Sequence, residues 1–399
     1  MNTEEQAIEA FRARFGGEPA VLGRAPGRVE LLGNHTDHNS GLVLAVAIDR
    51  FTAVAGRATK ELSARLYSTH SNAEESFQHN QSIPGKPGSW GQYVRGVFWA
   101  MREAWGDYSE GIEASIAGDI PIGAGLSSSA SLQAALALFL LRAGVVPEAS
   151  ASLDDDARLT LARVLQRSEN VFVEVSSGLL DQFSVLFGRA GEALMLDCRS
   201  LAFERLPLGF PSPAIVVCDS KTSRRLADGM YNRRRAECEA VVIHFQKKRG
   251  VDAVTTLRDI SLDDLDNEWS RLDPTDRLRA RHVLTENARV EQGAEALRSG
   301  DMARFGRLMS ASHASSRDDF ANSAPALDFL IEAAETAPGF LGGKLSGAGW
   351  AGCTVNLVEA GQAEAFAHSV SESYSRLSNT VPDIHICRAA DGASGIVLG

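Results

Sequence analysis

The sequence predicts a two-domain protein of the α+β class. At 399 residues, the chain is long for a single hydrophobic core. Segments with helical spacing, such as Trp90–Trp105, occur together with short apolar segments typical of strands, such as Ile215–Asp219. Glycine and proline become frequent between Leu196 and Pro211. We therefore place the domain boundary in that stretch, which gives domains 1–205 and 206–399.

In the first domain, the apolar spacing predicts helices and strands along the whole length. Strands are predicted for residues 20–22, 29–32, 41–48, 51–55, 111–116, 193–196 and 203–206, with a turn at 25–27. Helices are predicted for residues 4–15, 90–105, 158–175 and 179–186. A further helix is predicted from the apolar run that begins at Leu132.

The second domain shows the same mixture of elements. Helices are predicted for residues 230–248, 272–299 and 325–335, the last with a proline in its first turn, where proline is tolerated. Strands are predicted for residues 215–219, 352–357 and 384–389. These elements complete the α+β pattern.

Composition and charge exclude several classes of protein. The net charge of −11 argues against a nucleic-acid partner. The five cysteines are scattered without close pairs, which fits neither a disulfide framework nor a zinc site. The N-terminus lacks the apolar stretch of a signal peptide, and the most apolar helix, 134–141, is too short to cross a bilayer. We expect a cytoplasmic protein without a membrane partner, monomeric or weakly homo-oligomeric.

The segment from Gly118 to Leu132 carries the strongest chemical signal. Gly123 and Gly125 allow a sharp backbone turn and close approach to a ligand. The serines that follow supply hydroxyls and N–H groups ahead of a helix, an arrangement that suits a phosphate and a magnesium ion. The segment is not a Walker A loop, because no lysine follows the second glycine. The alternative is a Gly-Ser turn that only caps a buried helix.

The segment from Arg24 to Asn39 has an unusual density of polar side chains between two apolar strands. Such a loop fits recognition of a polyol, whose hydroxyls each need donors and acceptors. The alternative is a network of Asx-type turns. His35 and His38 alone do not indicate a metal, since no third ligand is spaced with them.

Two acidic residues and a second glycine-rich stretch remain ambiguous on pattern alone. Glu169 lies in an amphipathic helix, where a glutamate is usually solvated, and Asp181 lies among apolar neighbours. A catalytic Asp181 would need Arg28 or a magnesium ion nearby to stay ionised. The stretch Gly342–Cys353 misses the P-loop template. Its glycines can simply allow two backbones to pack closely, and Lys344 is equally compatible with an exposed and a functional position.

Taken together, the three motifs resemble those of the GHMP small-molecule kinases, and within them the galactokinases. Gly27–Asn39 is similar to the signature Gly-Arg-Val-Asn-Leu-Ile-Gly-Glu-His-Thr-Asp-Tyr-Asn, and Pro121–Ala130 matches the nucleotide loop Pro-x-Gly-x-Gly-Leu-Ser-Ser-Ser-Ala. Gly342–Cys353 resembles the family's C-terminal glycine loop. Glu169–Gln182 and Tyr231–Arg235 resemble further family segments, so that the resemblance covers essentially the whole chain.

The resemblance implies a two-domain GHMP kinase fold with the active site in the cleft. The N-terminal domain, which binds sugar and ATP, would resemble the second domain of ribosomal protein S5, and the C-terminal domain would be the family's α+β domain. The implied activity is ATP-dependent phosphorylation of galactose at the anomeric hydroxyl, giving galactose 1-phosphate, with Mg²⁺ as cofactor.

The resemblance also implies a role for each matching residue. Asp181 would be the general base, or would orient the anomeric hydroxyl, and Arg28 would pair with it. Ser129 and Glu169 would hold magnesium. The sugar would be bound by Asn34, His35, Thr36, Asp37, Gly178 and Tyr231, and ATP by Gly123, Ala124, Gly125, Leu126, Ser127, Ser128 and Ser129.

One departure from the family signature bears on the substrate. Asn34 stands where galactokinases usually have a glutamate that contacts the O6 hydroxyl. Because an amide does not repel a carboxylate, a sugar oxidised at C6 becomes admissible, although we still expect galactose to react. The alternatives are a 1-kinase for galacturonate or N-acetylgalactosamine and a non-catalytic sugar sensor. The sensor is disfavoured because such sensors tend to lose residues of the serine loop, whereas Ser129 and Ala130 are present here. Arg28, Glu169 and Asp181 are present as well.

Overall fold

A computed structural model of the chain describes residues 1–79, 84–121, 123–146, 153–175, 177–222 and 229–399. The strands within these ranges are β1 (Val21–Leu32), β2 (Leu42–Thr59), β3 (Ser63–Ser68), β4 (Ala73–Gln78), β5 (Gly111–Gly118), β6 (Glu192–Asp197), β7 (Phe203–Pro207), β8 (Ala214–Asp219), β9 (Phe340–Leu345), β10 (Cys353–Val358), β11 (Asp383–Cys387) and β12 (Ser394–Val397).

The helices cover both halves of the chain. They are α1 (Thr3–Phe15), α2 (Trp90–Trp105), α3 (Ser128–Arg142), α4 (Asp155–Arg167), α5 (Leu180–Phe187), α6 (Met230–Arg249), α7 (Leu262–Glu268), α8 (Pro274–Ser299), α9 (Met302–Ser315), α10 (Pro325–Glu335) and α11 (Ala363–Ser378). Asn2 caps α1 and Asp273 caps α8, which explains where these helices begin.

The strands form two sheets. The first has eight strands in the order β12-β1-β2-β5-β3-β4, with β6 and β7 joined through β2. The second has four antiparallel strands in the order β11-β8-β10-β9. The last strand therefore returns from the second half of the chain to pair with β1. The predicted boundary at 205/206 falls within β7 and stays a prediction.

A shared hydrophobic cluster joins the two sheets. Val29 of β1 belongs to the same cluster as Ile215 of β8, Val290 of α8 and Val355 of β10. Burial of apolar area at this junction is the main stabilising term that holds β1 against the second half. The polar segment that follows β1 is thereby placed against α8 and the second sheet.

The predicted α+β class is confirmed, and most predicted elements occur with shifted ends. Four details were wrong. Residues 25–27 lie inside β1 and not in a turn, and the segments 41–48 and 51–55 form one long strand. The helix predicted for 158–175 is α4 followed by a π-helical stretch, Ser168–Val173. Helix α3 begins at Ser128, ahead of the apolar run.

The second glycine-rich stretch also differs from the expectation. Gly342 and Gly343 lie in β9, so only residues 346–352 form the loop that leads to β10. A Cβ atom on Gly342 would lie 2.0 Å from the carbonyl oxygen of Gly306 in α9. Glycine is therefore required here for close packing of two backbones, one of the two readings open at the sequence level.

None of the helices within the described residues is long and apolar enough to span a membrane.

Candidate active site

A cleft of about 660 Å³ brings together residues from distant parts of the chain. It lies where β1, the loop before α3 and the first turns of α5 and α6 meet. Of the residues predicted for the site, those that line it are Arg28, Asn34, His35, Asp37, Gly123, Gly125, Leu126, Ser127, Ser128, Ser129, Gly178, Asp181 and Tyr231. The structure thus places three predicted motifs around one cavity.

Arg28 and Asp181 form an ion pair at the centre of the cleft. The Nε of Arg28 donates to Oδ1 of Asp181 at 2.9 Å, and a second guanidinium nitrogen donates to the same oxygen. The remaining nitrogen of Arg28 donates to the carbonyl oxygen of Gly125 at 2.7 Å. Asp181 lies in the first turn of α5, where the helix dipole favours a carboxylate. The guanidinium therefore ties the carboxylate to the glycine-serine loop.

The glycine-serine loop presents the start of α3 to the cleft. Gly123, Gly125 and Ser127 have φ angles of 81°, 75° and 58°, so the backbone turns through the left-handed region at each. No side chain caps α3, and the buried hydroxyl of Ser127 has no hydrogen-bond partner among the described residues. Uncapped N–H groups at a helix N-terminus form an anion site. The start of α3 therefore has the features of an anion site.

Glu169 is buried, contrary to the usual solvated position of a helical glutamate. Its carboxylate accepts hydrogen bonds from Gln133 and Ser177, each at 2.7 Å. Burial raises the pKa of Glu169, and the negative charge of Asp181 raises it further, while the hydroxyl of Ser129 acts in the opposite sense. The π-helical stretch that carries Glu169 turns this side chain inward.

The residues around Glu169 fit a hard divalent cation. Ser129 supplies a hydroxyl, and the two carboxylates of Glu169 and Asp181 are close enough to repel each other. Oxygen ligands of this kind are those that Mg²⁺ prefers, and a cation would offset the repulsion. Within the described ranges, no group of three or more His, Cys, Asp or Glu residues could hold a metal alone. Phosphate oxygens would have to complete the coordination.

Asp37 and Gly178 meet at the opposite wall of the cleft. A Cβ atom on Gly178 would lie 2.3 Å from Oδ2 of Asp37, so a side chain at position 178 would displace the carboxylate. Although burial opposes it, the hydrogen bond from His38 lowers the pKa of Asp37, which is therefore ionised at neutral pH. The pair offers an acceptor to a ligand hydroxyl.

His35 is enclosed by aromatic rings at the end of the cleft. Its ring centroid lies 4.5 Å from that of Phe320 and 5.5 Å from that of Tyr231. Burial lowers the pKa of His35 to about 3, so the ring is neutral, and Nε2 lies 3.1 Å from the carbonyl oxygen of Ala348. Burial raises the pKa of Tyr231, which keeps its hydroxyl protonated. Neutral donors and acceptors of this kind suit an uncharged ligand.

Helix α8 holds the polar turn from the other half of the chain. Oε1 of Glu286 accepts from the backbone N–H groups of Gly33 and Asn34 at 2.9 and 3.2 Å. Burial opposes ionisation of Glu286, but the positive charges around it, with that of Arg289 the strongest, together lower its pKa to about 2. His282 lies 3.0 Å from the carbonyl oxygen of Asn34. The shape of the turn therefore depends on residues about 250 positions away in the sequence.

Two predicted residues occupy positions that differ from the expectation. Thr36 is fully buried, and its hydroxyl donates to backbone carbonyls of Gly33 and Leu42, so it stabilises the turn and does not reach a sugar. The side chain of Ala124 is buried in the core, so any contact with a nucleotide must come from its backbone.

Sequence reasoning missed several residues that line the cleft, among them Glu30, Glu174 and Asn232, and it left the role of Lys344 open. Lys344 is completely buried behind Glu30, with Nζ 2.8 Å from its carboxylate. The charge of Glu30 inside an otherwise apolar strand was the only available signal.

Three family models match successive parts of the chain. The galactokinase galactose-binding signature matches residues 9–58, the GHMP kinase N-terminal domain residues 92–189, and the GHMP kinase C-terminal domain residues 294–376. A galactokinase of Roseiflexus sp. (strain RS-1) is 43% identical over 392 residues, covering 98% of this chain and 96% of its own. The chain belongs to the galactokinase family.

Further galactokinases support this assignment. Human galactokinase is 37% identical over 400 residues, covering 98% of this chain and 96% of its own. Lactococcus lactis galactokinase, solved in complex with galactose, superposes with a TM-score of 0.89 at 30% identity, covering 97% of this chain and 98% of its own. A mevalonate kinase with a TM-score of 0.62 and 18% identity, covering 93% of this chain and 99% of its own, shares the fold.

Proposed function

We propose that this protein transfers the terminal phosphoryl group of ATP to the anomeric hydroxyl of galactose. The ion pair of Arg28 and Asp181 carries this proposal, because it stands between the anion site at the start of α3 and the polar turn of His35 and Asp37. A phosphate donor and a polyol acceptor can therefore meet at one carboxylate. The similar galactokinases and the galactose complex of the Lactococcus lactis protein support galactose as the acceptor.

Asp181 has the position to accept a proton from the attacking hydroxyl or to orient it. Arg28 holds that carboxylate and presents positive charge toward the phosphate loop. Such fixed charge lowers the barrier because phosphoryl transfer needs positioning and charge neutralisation more than covalent chemistry. The N–H groups at the start of α3 would bind phosphate oxygens.

Ser129 and Glu169 would hold Mg²⁺. Bound there, the ion would neutralise charge on the phosphates of ATP. Glu169 is kept in place by Gln133 and Ser177, so the chain fixes the carboxylate before the ion arrives.

The test is an ADP-release assay on a panel of hexoses, amino sugars and uronic acids. We expect galactose to give the highest kcat/KM. Preferred turnover of galacturonate or N-acetylgalactosamine would contradict galactose as the substrate. Binding of sugar and ATP without ADP release would indicate the sensor, which no feature of the cleft favours. A cytoplasmic location and a monomeric or weakly homo-oligomeric state stay predictions from the sequence, as does the lack of nucleic-acid and membrane partners.

Replacing Glu169 with Gln is expected to raise the magnesium concentration needed for half-maximal activity. The amide keeps the shape but removes the charge that a hard cation requires. Because the pKa of Glu169 is raised, protons compete with magnesium for the wild-type carboxylate as the pH falls. The magnesium requirement of the wild type should therefore increase toward acidic pH, and that of the variant should depend less on pH. Titrations at several pH values check both effects, and superimposable curves for variant and wild type would remove Glu169 from the metal site.

A further inference from the structure

A buried ion pair forms part of the inner wall of the cleft. Glu30 belongs to β1 and Lys344 to β9, so the pair joins the two sheets. Nζ of Lys344 lies 2.8 Å from Oε1 of Glu30, and the lysine side chain is fully shielded from solvent. Two charges are costly to remove from water, and a lone buried carboxylate would be costlier still. Lys344 therefore balances the charge of Glu30 and fixes the position of its carboxylate.

The two carboxylate oxygens of Glu30 differ in their surroundings. Oε1 accepts from Lys344 and from Nδ2 of Asn34, the latter at 3.3 Å. None of the hydrogen bonds formed by the described residues uses Oε2. The side chain is 8% exposed, and the residue lines the cleft. An oriented carboxylate oxygen is thus available to a ligand.

The side chain of Asn34, in contrast, has no polar atom available to a ligand. Its Nδ2 donates to Glu30 and to the carbonyl oxygen of Gly347 at 2.9 Å. Its Oδ1 accepts from Asn322 at 2.9 Å and from Ser316 at 3.4 Å. An amide makes two donor and two acceptor bonds, and here the protein itself uses all four. The side chain of Asn34 therefore stabilises the turn and has no hydrogen-bonding position left for the substrate.

We propose that Glu30, and not Asn34, is the carboxylate that accepts a hydrogen bond from a sugar hydroxyl, with Lys344 as its positioning residue. This rests on the proposed function, because it names a specificity determinant of the same cleft. The family signature has asparagine where this chain has Glu30 and glutamate where it has Asn34. Carboxylate and amide have exchanged places across a contact of 3.3 Å, so the pocket keeps one negative charge.

The exchange changes the expected specificity. The amide at position 34 predicted that a sugar carboxylate would be admitted. Glu30 restores the repulsion, since it lines the cleft while the compensating cation of Lys344 is fully buried. The site therefore selects a hydroxyl donor and rejects a uronate.

The test is a cycle of enzyme and substrate changes. Glu30→Gln alone would leave Lys344 buried without a counter-ion, so the variant to use is Glu30→Gln/Lys344→Met, which removes both charges. Galactose and its 2-, 3-, 4- and 6-deoxy analogues, which all keep the anomeric hydroxyl, are compared with wild type and variant by kcat/KM. A hydrogen bond to a charged group accounts for roughly ten- to a hundredfold in that ratio. With the wild type, we expect one deoxy analogue to show a drop in kcat/KM of this size relative to galactose. With the variant, most of that drop should disappear.

A matched control is Glu268→Gln/Lys248→Met, which removes a lysine–glutamate pair that does not line the cleft. It should leave the ratio of kcat/KM between each deoxy analogue and galactose unchanged. Thermal melting of each variant shows whether its fold is destabilised. Galacturonate should be a poor substrate of the wild type and should improve relative to galactose in the cleft variant.

Equal penalties for every analogue in wild type and variant would overturn the role of Glu30 while leaving galactose phosphorylation intact. Efficient turnover of galacturonate by the wild type would overturn the proposed selection. If galactose binds without turnover, the proposed function fails, and calorimetric binding of the same analogues decides the role of Glu30. If galactose neither binds nor reacts, both proposals fall.

Discussion

Replacing Asp181 with Asn is expected to lower kcat by about 10²–10⁴, the usual span for loss of a general base. The amide keeps the size of the side chain and can still accept one hydrogen bond from Arg28. It can neither take the proton of the sugar hydroxyl nor balance the guanidinium charge. The affinity for galactose should change far less, because Asp37, Gly178 and Tyr231 form a separate part of the cleft wall. Steady-state kinetics with calorimetric binding of galactose separates the two effects.

A matched control for this variant is Asp264→Asn. The side chain of Asp264 is 25% exposed, close to the 26% of Asp181, and it also pairs with an arginine, Arg249. It lies on α7 and does not line the cleft. The control should keep wild-type kcat. A kcat close to wild type in Asp181→Asn would remove that residue from the mechanism.

Elements defined by their own sequence were predictable. Helix α6 is Met230–Arg249 against a predicted 230–248, and α8 starts within two residues of its predicted start because Asp273 and Pro274 mark its first turn. Their length and spacing leave little ambiguity.

Elements defined by their neighbours were missed. The hairpin of β3 and β4 is short and polar on one face, so its own sequence gives a weak signal. It joins the first sheet because β3 pairs with β5. Strand β12 has four residues, which carry no periodic signal, and it exists through its pairing with β1. The predicted helix 158–175 is split at a π-helical stretch in which Glu169 is buried, and the apolar spacing of the segment gives no signal for that split.

The candidate site shows the same division. Local chemistry sufficed to predict the glycine-serine loop, since left-handed glycines and serines ahead of a helix are features of that segment alone. The inward position of Glu169, the support of the turn by α8 and the pair of Glu30 with Lys344 all arise from contacts between distant residues. The motif comparison alone assigned the contact with the O6 hydroxyl of the sugar to position 34. The hydrogen bonds of Asn34 and Glu30 support the proposal that the contact with a sugar hydroxyl belongs to Glu30, four residues earlier in the chain and within β1.

Replacing Arg28 with Met is expected to lower kcat by about 10²–10³, as for loss of one preorganised charge at a developing transition-state charge. The side chain is buried and makes its bonds to Asp181 and to the carbonyl oxygen of Gly125, so the variant both removes positive charge and releases the loop. Arg28→Lys should recover only part of the rate, because an ammonium group cannot reproduce the forked contact. The KM for galactose should rise little in either variant.

A double-mutant cycle of Arg28→Met and Asp181→Asn tests whether the two residues act together. In Arg28→Met, the carboxylate of Asp181 keeps its repulsion with Glu169 but loses the cation that offsets it. Removing the carboxylate as well relieves that strain, so the double variant should be much less impaired than the product of the two single losses. Directly bonded groups couple by about 0.5–3 kcal/mol in such cycles. The kcat values of the four proteins at saturating ATP, magnesium and galactose give the coupling. Losses that simply multiply would mean that Arg28 and Asp181 act independently, and that the guanidinium serves the phosphate loop through Gly125 alone.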